Sequence, residues 1–297
     1  MPIRRLVDTI NRNPIVRSLK NTRSELIDLS FRARARNEAA QLVTRLTQSD
    51  VKRACFTVAF NVPWAIETMI AAWRRCPIGF DLVVANNSSD QNKREEIREI
   101  CLRHDVPYVD LPSNPEWHPC RSHGIAMNWI FYNVIRRLDL KAFGFLDHDC
   151  FPMQPFDVTE RLVDCDVYGL RFRSAKFNDI WNMWAGFCFY RGSSFQSLDM
   201  DFKNSVELGL DTGGRNWASI YSQLHPKQIR AAGAYRLSDE DFHLVIDEAF
   251  LHAGGASFRS DNRQRAIERF QHLLDSDPAS RTAQLVRLEA LVDVQEQ

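Results

Sequence analysis

A strand that is apolar along its whole length must be covered on both faces, and between Ala54 and Leu146 such runs recur four times, separated by segments with helical spacing. That alternation dictates a parallel sheet with helices packed over it. The first unit is a strand over Cys55 to Phe60 and a helix over Pro63 to Arg75, where proline suits the first helical turn. The second is a strand over Phe80 to Ala85 and a helix over Gln91 to His104, capped by Ser89 or Asp90. The third strand, Tyr108 to Leu111, enters a polar loop, Pro112 to Cys120, and a helix over Ser122 to Leu138. The fourth strand, Ala142 to Leu146, stops at Asp147-His148-Asp149. Two carboxylates thus stand at the carboxyl end of a strand expected in mid-sheet, which is the end where open α/β sheets bind ligands.

Beyond Pro155 the alternation weakens into strand-like Asp166 to Phe172 and Met183 to Tyr190, a stretch rich in aromatics. Helical spacing returns over Arg263 to Leu274 and Thr282 to Val294, the latter carrying Leu285, Leu288 and Leu291. With no repeat and no low-complexity linker, 297 residues divide into a basic helical arm (1–50), a catalytic domain (51–260, halves 51–150 and 151–260) and C-terminal helices (261–297). The seven cysteines are scattered and form no CxxC pair, so neither a disulfide scaffold nor a zinc site is indicated, and a reducing cytoplasm is the expected compartment.

Equal numbers of basic and acidic side chains exclude a protein built to grip a nucleic-acid backbone. The balance hides one asymmetry. Up to Asp50, Arg4, Arg5, Arg12, Arg17, Lys20, Arg23, Arg32, Arg34, Arg36 and Arg45 face only Asp8, Glu25, Asp28, Glu38 and Asp50. Ile3, Leu6, Ile10, Val16 and Leu19 lie among these cations, a pattern shared by helical arms packed on their own domain and by helices lying on an anionic membrane surface. No apolar run reaches the length of a membrane span.

Asp147 and Asp149, two residues apart at a backbone bend, can share a hard divalent cation such as Mg²⁺ or Mn²⁺, whose remaining positions suit a diphosphate. A turn-capping pair of aspartates is the competing reading. The strand ending in Phe60-Asn61, the run Asn86-Asn87-Ser88-Ser89-Asp90, the segment Arg121-Ser122-His123-Gly124 through Asn128 and the Asp147-His148-Asp149 motif together resemble GT-A glycosyltransferases of the family-2-like group, over Ala54 to Phe258. The resemblance implies a mixed α/β sheet flanked by helices, a nucleotide-diphosphate sugar as donor, with a UDP-sugar favoured, and a saccharide or glycolipid acceptor. It also implies donor contacts from Asn61, Asn86, Arg121, His123, Gly124, Asn128 and Asp147. The chain has Asn86-Asn87 where the family commonly has carboxylates against the base.

In that family a late histidine or acid completes the metal site, and His252, followed by Gly254-Gly255, is the candidate beside Asp147 and Asp149. Inverting transfer needs a base for the acceptor hydroxyl, for which the resemblance points to an acid in the second half. Asp211, ahead of Gly213-Gly214 and of a helix expected over Trp217 to Leu224, is the first choice, with capping of that helix as its competitor and Asp239-Glu240-Asp241 as the alternative cluster. Trp181, Trp184 and Trp217 are candidate sugar platforms. Three alternatives stay open: a retaining enzyme, a nucleotidyltransferase and an inert binding subunit. A role in polysaccharide biosynthesis follows only from the resemblance.

Overall fold

Strands β1 (Arg53–Ala59), β2 (Asp81–Asn86), β3 (Tyr108–Asp110) and β4 (Ala142–Leu146) are parallel and lie in the order β3-β2-β1-β4. The computed structural model describes residues 14–237, 243–255, 262–277, 280 and 285–288. All of β1 after Arg53 and all of β4 are buried, as their unbroken apolar runs require. Alternate residues of β1 serve two cores: Cys55 and Ala59 face one side of the sheet, Ala54, Phe56 and Val58 the other.

After β4 the chain makes β5 (Cys150–Pro152), β6 (Val167–Arg173), β7 (Trp181–Arg191) and β8 (Ile229–Ala231). β7 joins the sheet antiparallel to β4, followed by β6 and β8, which completes seven strands. A second, antiparallel sheet runs β12-β9-β10-β11-β5, with β9 (Ala234–Leu237), β10 (Leu244–Ile246), β11 (Phe250–His252) and β12 (Leu285–Arg287).

Among the described residues, six longer helices surround these sheets: α1 (Pro14–Arg32), α2 (Arg36–Gln48), α3 (Pro63–Arg75), α4 (Gln91–Arg103), α5 (Pro119–Asn133) and α6 (Asn262–Asp275). α3 begins on Pro63, and Asp90 caps α4 by accepting from the Asn92 and Lys93 amides. α1 and α2 lie on α5: Phe31 is fully buried, Trp129 donates its indole N–H to the Arg34 carbonyl, and Asn133 donates to Arg32. Among the described residues no helix is long and apolar enough to cross a membrane.

The structure corrects three boundaries. α5 starts at Pro119, three residues before Ser122, and ends at Asn133, so His123 and Gly124 sit inside the helix rather than at its opening. The helix expected from Trp217 to Leu224 is broken at Ile220 into two short turns, Asn216–Ser219 and Tyr221–Gln223. Leu285–Arg287, within a segment read as helical, is a strand on the edge of β9, where Leu285 pairs with Leu237 and Arg287 with Tyr235. An i, i+3 leucine pattern suits a helix, but an unpaired sheet edge offers the same short segment backbone partners. Residues 282–284 and 289–294, the acids Asp239-Glu240-Asp241 and the first thirteen residues lie outside the described residues.

Candidate active site

The strand order β3-β2-β1-β4 reverses between β1 and β4, and a crevice opens at the carboxyl ends of such neighbours. Asp147 follows β4 directly. Its amide is held by the Gly186 carbonyl of β7 at 3.0 Å, and its own carbonyl accepts the Cys150 amide at 2.9 Å, which closes a turn. Within that turn His148 points back, its Nδ1 3.0 Å from the Val58 carbonyl.

His252 arrives from more than a hundred residues away because β11 pairs with β5. In that ladder His252 stands opposite Cys150, and Ala253 donates its amide to the Asp149 carbonyl at 2.8 Å. His252 Nε2 lies 3.4 Å from Asp149 Oδ1 and 3.8 Å from Asp147 Oδ2. One donor atom from each of the three residues falls within 4.8 Å of the others. Oxygen and nitrogen donors about 2.1 Å from a Mg²⁺-sized ion in octahedral array are separated by about 3 Å when adjacent and about 4 Å when opposite. Two carboxylates and an imidazole at these spacings therefore fit a divalent cation.

The electrostatics agree with a site built for added positive charge. Burial raises Asp147 above the ordinary carboxylate range and the Asp149 charge adds to this, against the opposing pull of His123 and His252. For His252 burial works against the protonated ring, yet the Asp149 carboxylate outweighs it and the ring is held above its ordinary value. Trp184 packs edge-on against the His252 ring, centroids 4.7 Å apart, and fixes its plane.

These groups line a cavity of about 860 Å³. Its walls come from Val58 near the end of β1 and Phe60 after it, Asn87 to Ser89 after β2, the loop Ser113 to Trp117, the first turns of α5, Trp184 and Ala185 of β7, and Asp211-Thr212. His123 lies in the wall, its Nε2 3.8 Å from Asp147 Oδ1. Asp211 is exposed on this wall beside Cys120, whose thiol is pushed up to about 12 by burial first and by Asp211 next. Arg215, not Asp211, occupies the N-cap of the turn that follows.

Other expected contacts have different occupations. The Asn61 side chain, on a left-handed backbone (φ 56), ties the β1 and β2 exits together: its Oδ1 accepts from the Ser89 and Asp90 amides and its Nδ2 donates to Ser89. Asn86 is fully buried and donates to the Arg94 carbonyl and the Tyr108 hydroxyl. Arg121 pairs with Glu116 at 3.3 Å. Gly124 lets α5 touch another segment, since a Cβ there would lie 2.6 Å from the Phe202 carbonyl oxygen. Asn128 is buried, donating to Asp28 and Asp201 and accepting from the Phe202 amide. None of these five lines the cavity. Of the three tryptophans expected as sugar platforms, Trp184 lines it, while Trp181 stacks on Tyr221 and meets Trp217 edge-on.

Among the wall residues, Asn87 entered the sequence reading only within its motif, and Arg94 and Trp117 not at all. Asn87 faces the cavity and donates to Ser122 Oγ, and the two-residue alternation past β2 that buries Asn86 is the signal that points Asn87 the other way. Arg94 spans Ser88, Asp110 and Leu111. Trp117 is 77% exposed at the cavity rim, a large ring displayed in a proline-bounded loop.

No known family model matches the sequence, and no curated protein is significantly similar to it. Among solved structures the chain is similar to S. aureus TarS, at 14% identity over 77% of this chain and 41% of TarS, with a TM-score of 0.40. It is also similar to TarS 1–349 in complex with UDP-GlcNAc, at 13% identity over 77% and 69% of the chains, TM-score 0.41. A third is the mannosyltransferase PcManGT from Pyrobaculum calidifontis, solved with GDP-Man and Mn²⁺, at 11% identity over 64% and 61%, TM-score 0.38. The chain spans less than half the length of the full TarS chain.

Proposed function

We propose that the chain is a glycosyltransferase that moves a sugar from a nucleotide-diphosphate donor to a hydroxyl acceptor. The observation that carries this is the meeting of Asp147, Asp149 and His252 at the switch point of the sheet, on the floor of one large cavity. Asp147, Asp149 and His252 would hold a Mn²⁺ or Mg²⁺ ion, which would supply positive charge against a departing diphosphate. The protein's own groups do the rest. The β1 and β2 exits, with Asn87 and Ser88, offer hydrogen bonds and a floor for a nucleoside, a UDP-sugar being favoured. His123 stands on the wall beside Asp147, where a ring N–H can donate to phosphate oxygen. Asp211 takes the proton of the acceptor hydroxyl as its oxygen bonds to the anomeric carbon and the bond to the diphosphate oxygen breaks, which inverts that carbon.

For the acceptor, a saccharide or glycolipid fits the open, aromatic-rimmed cavity. One observation favours a lipid-linked acceptor. Leu19, Leu26 and Leu29 of α1 are exposed, and both acids of that helix, Glu25 and Asp28, pair with Lys203, so leucines and cations dominate the outward face. Replacing the three leucines with serine in the full chain is expected to abolish binding to vesicles containing anionic lipid, and unchanged binding would remove this support.

The test of the reaction is incubation with a panel of nucleotide sugars and saccharide acceptors, with product configuration read by NMR. Metal-dependent release of nucleoside diphosphate with an inverted glycoside is expected. Retained configuration would remove Asp211 as the base, and release of inorganic pyrophosphate from a nucleoside triphosphate and a sugar phosphate supplied in their place, with no transfer from the nucleotide sugars, would favour nucleotidyl transfer instead.

A further inference from the structure

Helix α1 reaches both loops that wall the outer part of the cavity, and it does so with ions rather than apolar contacts. On one side Arg23 Nη1 lies 3.1 Å from Glu116 Oε2, a carboxylate with no exposed side-chain surface in the cavity wall. Glu116 Oε1 in turn accepts the His118 amide at 3.0 Å, which shapes the loop displaying Trp117. On the other side Lys203, 1% exposed, has Glu25 at 2.8 Å and Asp28 and Asp201 at 3.4 Å. Arg215 joins Glu25 to Asp201, and Arg32 holds Asp28 at 3.2 Å.

That network is wired to the segment carrying the candidate base. The Gly213 amide donates to the Phe202 carbonyl at 2.6 Å and the Arg215 amide to the Lys203 carbonyl at 3.2 Å, so residues 202–203 flank Asp211 through its own loop. Burying charges in this way gains little over an apolar contact of equal size, because desolvation offsets the attraction. What such a network supplies is one register: each ion meets its partner in a single arrangement, whereas leucines would tolerate sliding. The observed arrangement sets α1, residues 201–203 and residues 211–215 at one mutual position.

We propose that α1 is a clamp on the acceptor side of the site, and that Lys203 and Arg23 are positioning residues that set Asp211 and the Trp117 loop beside each other on the cavity wall, where Thr212 Oγ1 donates to the Cys120 carbonyl at 3.2 Å. This rests on the glycosyltransferase reading only for its catalytic consequence; the clamp itself is a statement about loop order. A helix whose sequence suits both an arm packed on its own domain and a membrane-surface helix thereby belongs to the working site.

The test uses full-length Lys203→Met and the milder Arg23→Gln, in which Glu116 keeps Arg121. Hydrogen exchange of residues 201–215 is expected to quicken in Lys203→Met, and that of residues 115–120 in Arg23→Gln, while β1 to β4 stay protected. Binding of Mn²⁺ with nucleoside diphosphate is expected to be unchanged, whereas kcat falls and acceptor KM rises, a combined loss of about 10- to 100-fold for a base moved by about an ångström. Lys203→Arg, which keeps the charge, is expected to recover part of that loss. Unchanged exchange in these segments, or faster exchange with transfer intact, overturns the clamp. Absence of nucleotide binding by the native protein would instead sink the glycosyltransferase reading, and the exchange result would still decide the clamp.

Discussion

Replacing Gly186 with alanine adds one methyl group beside the proposed metal site without replacing a ligand. A Cβ at that position would stand 2.5 Å from Asp147 Oδ2 and closer still to the Trp184 ring. The shortest ordinary C···O approach is about 3.3 Å, so the carboxylate must withdraw by about 0.8 Å. Metal–ligand distances tolerate only about 0.2 Å. Trp184, packed against Phe172 at 5.4 Å on one side and His252 on the other, has little room to yield in its place. The expected outcome is a loss of about 10- to 100-fold in Mn²⁺ affinity, the range seen when a supporting contact of a metal ligand is removed, with about 1–3 kcal/mol of lost stability from overpacking. Free Mn²⁺ measured by its paramagnetic resonance gives the affinity, and denaturant unfolding gives the stability. A folded Gly186→Ala protein that binds Mn²⁺ as tightly as the native chain would refute the assignment of Asp147 to the ion.

Asp211→Asn is expected to lower transfer by about 10²- to 10⁴-fold in steady-state assays while leaving metal and nucleotide binding intact, as loss of a base but not of the donor site requires. Gly124→Ala should cost about 1–3 kcal/mol by denaturant unfolding, since its methyl group would press on the Phe202–Lys203 backbone; a neutral outcome would show that α5 can retreat freely. Glu25, Asp201 and Glu116 are held below their ordinary values because, despite burial, Lys203 and Arg215 favour ionisation of the first two, and the His118 amide and Arg121 that of the third. Their stabilisation is therefore complete above the ordinary carboxylate range and is lost as pH falls through their folded values, so the melting temperature should drop between about pH 5 and pH 3. Asp28, pushed up by burial, acts in the opposite sense and blunts that drop, and Lys203→Met should flatten the remaining slope.

The parallel half of the sheet was legible because burial on both faces writes an unbroken apolar run, and β4 with its Asp147 and Asp149 exit falls where that run ends. His252 was reached through the order of a resembling family and a glycine pair. The reason it meets Asp149 is the β5–β11 register, a pairing across about a hundred residues that no local spacing encodes. Asn61, Asn86 and Asn128 matched motif positions, but an amide looks the same in sequence whether it meets a ligand or a distant carboxylate, and Asn128 meets Asp28 and Asp201. Leu285 to Arg287 resembled a helix because leucine spacing is silent about a vacant sheet edge. The α1 network was equally hidden, since Glu25 and Lys203 lie 178 residues apart and their charges are unremarkable one by one.

The most direct test of the site is calorimetric titration of nucleoside diphosphates into the native protein and Asp149→Ala, with Mn²⁺ and with chelator. Binding that is selective for one base, requires Mn²⁺ and disappears in Asp149→Ala is the predicted result. Binding of none of them, or equal binding with chelator present, would contradict the metal-dependent donor site built by Asp147, Asp149 and His252.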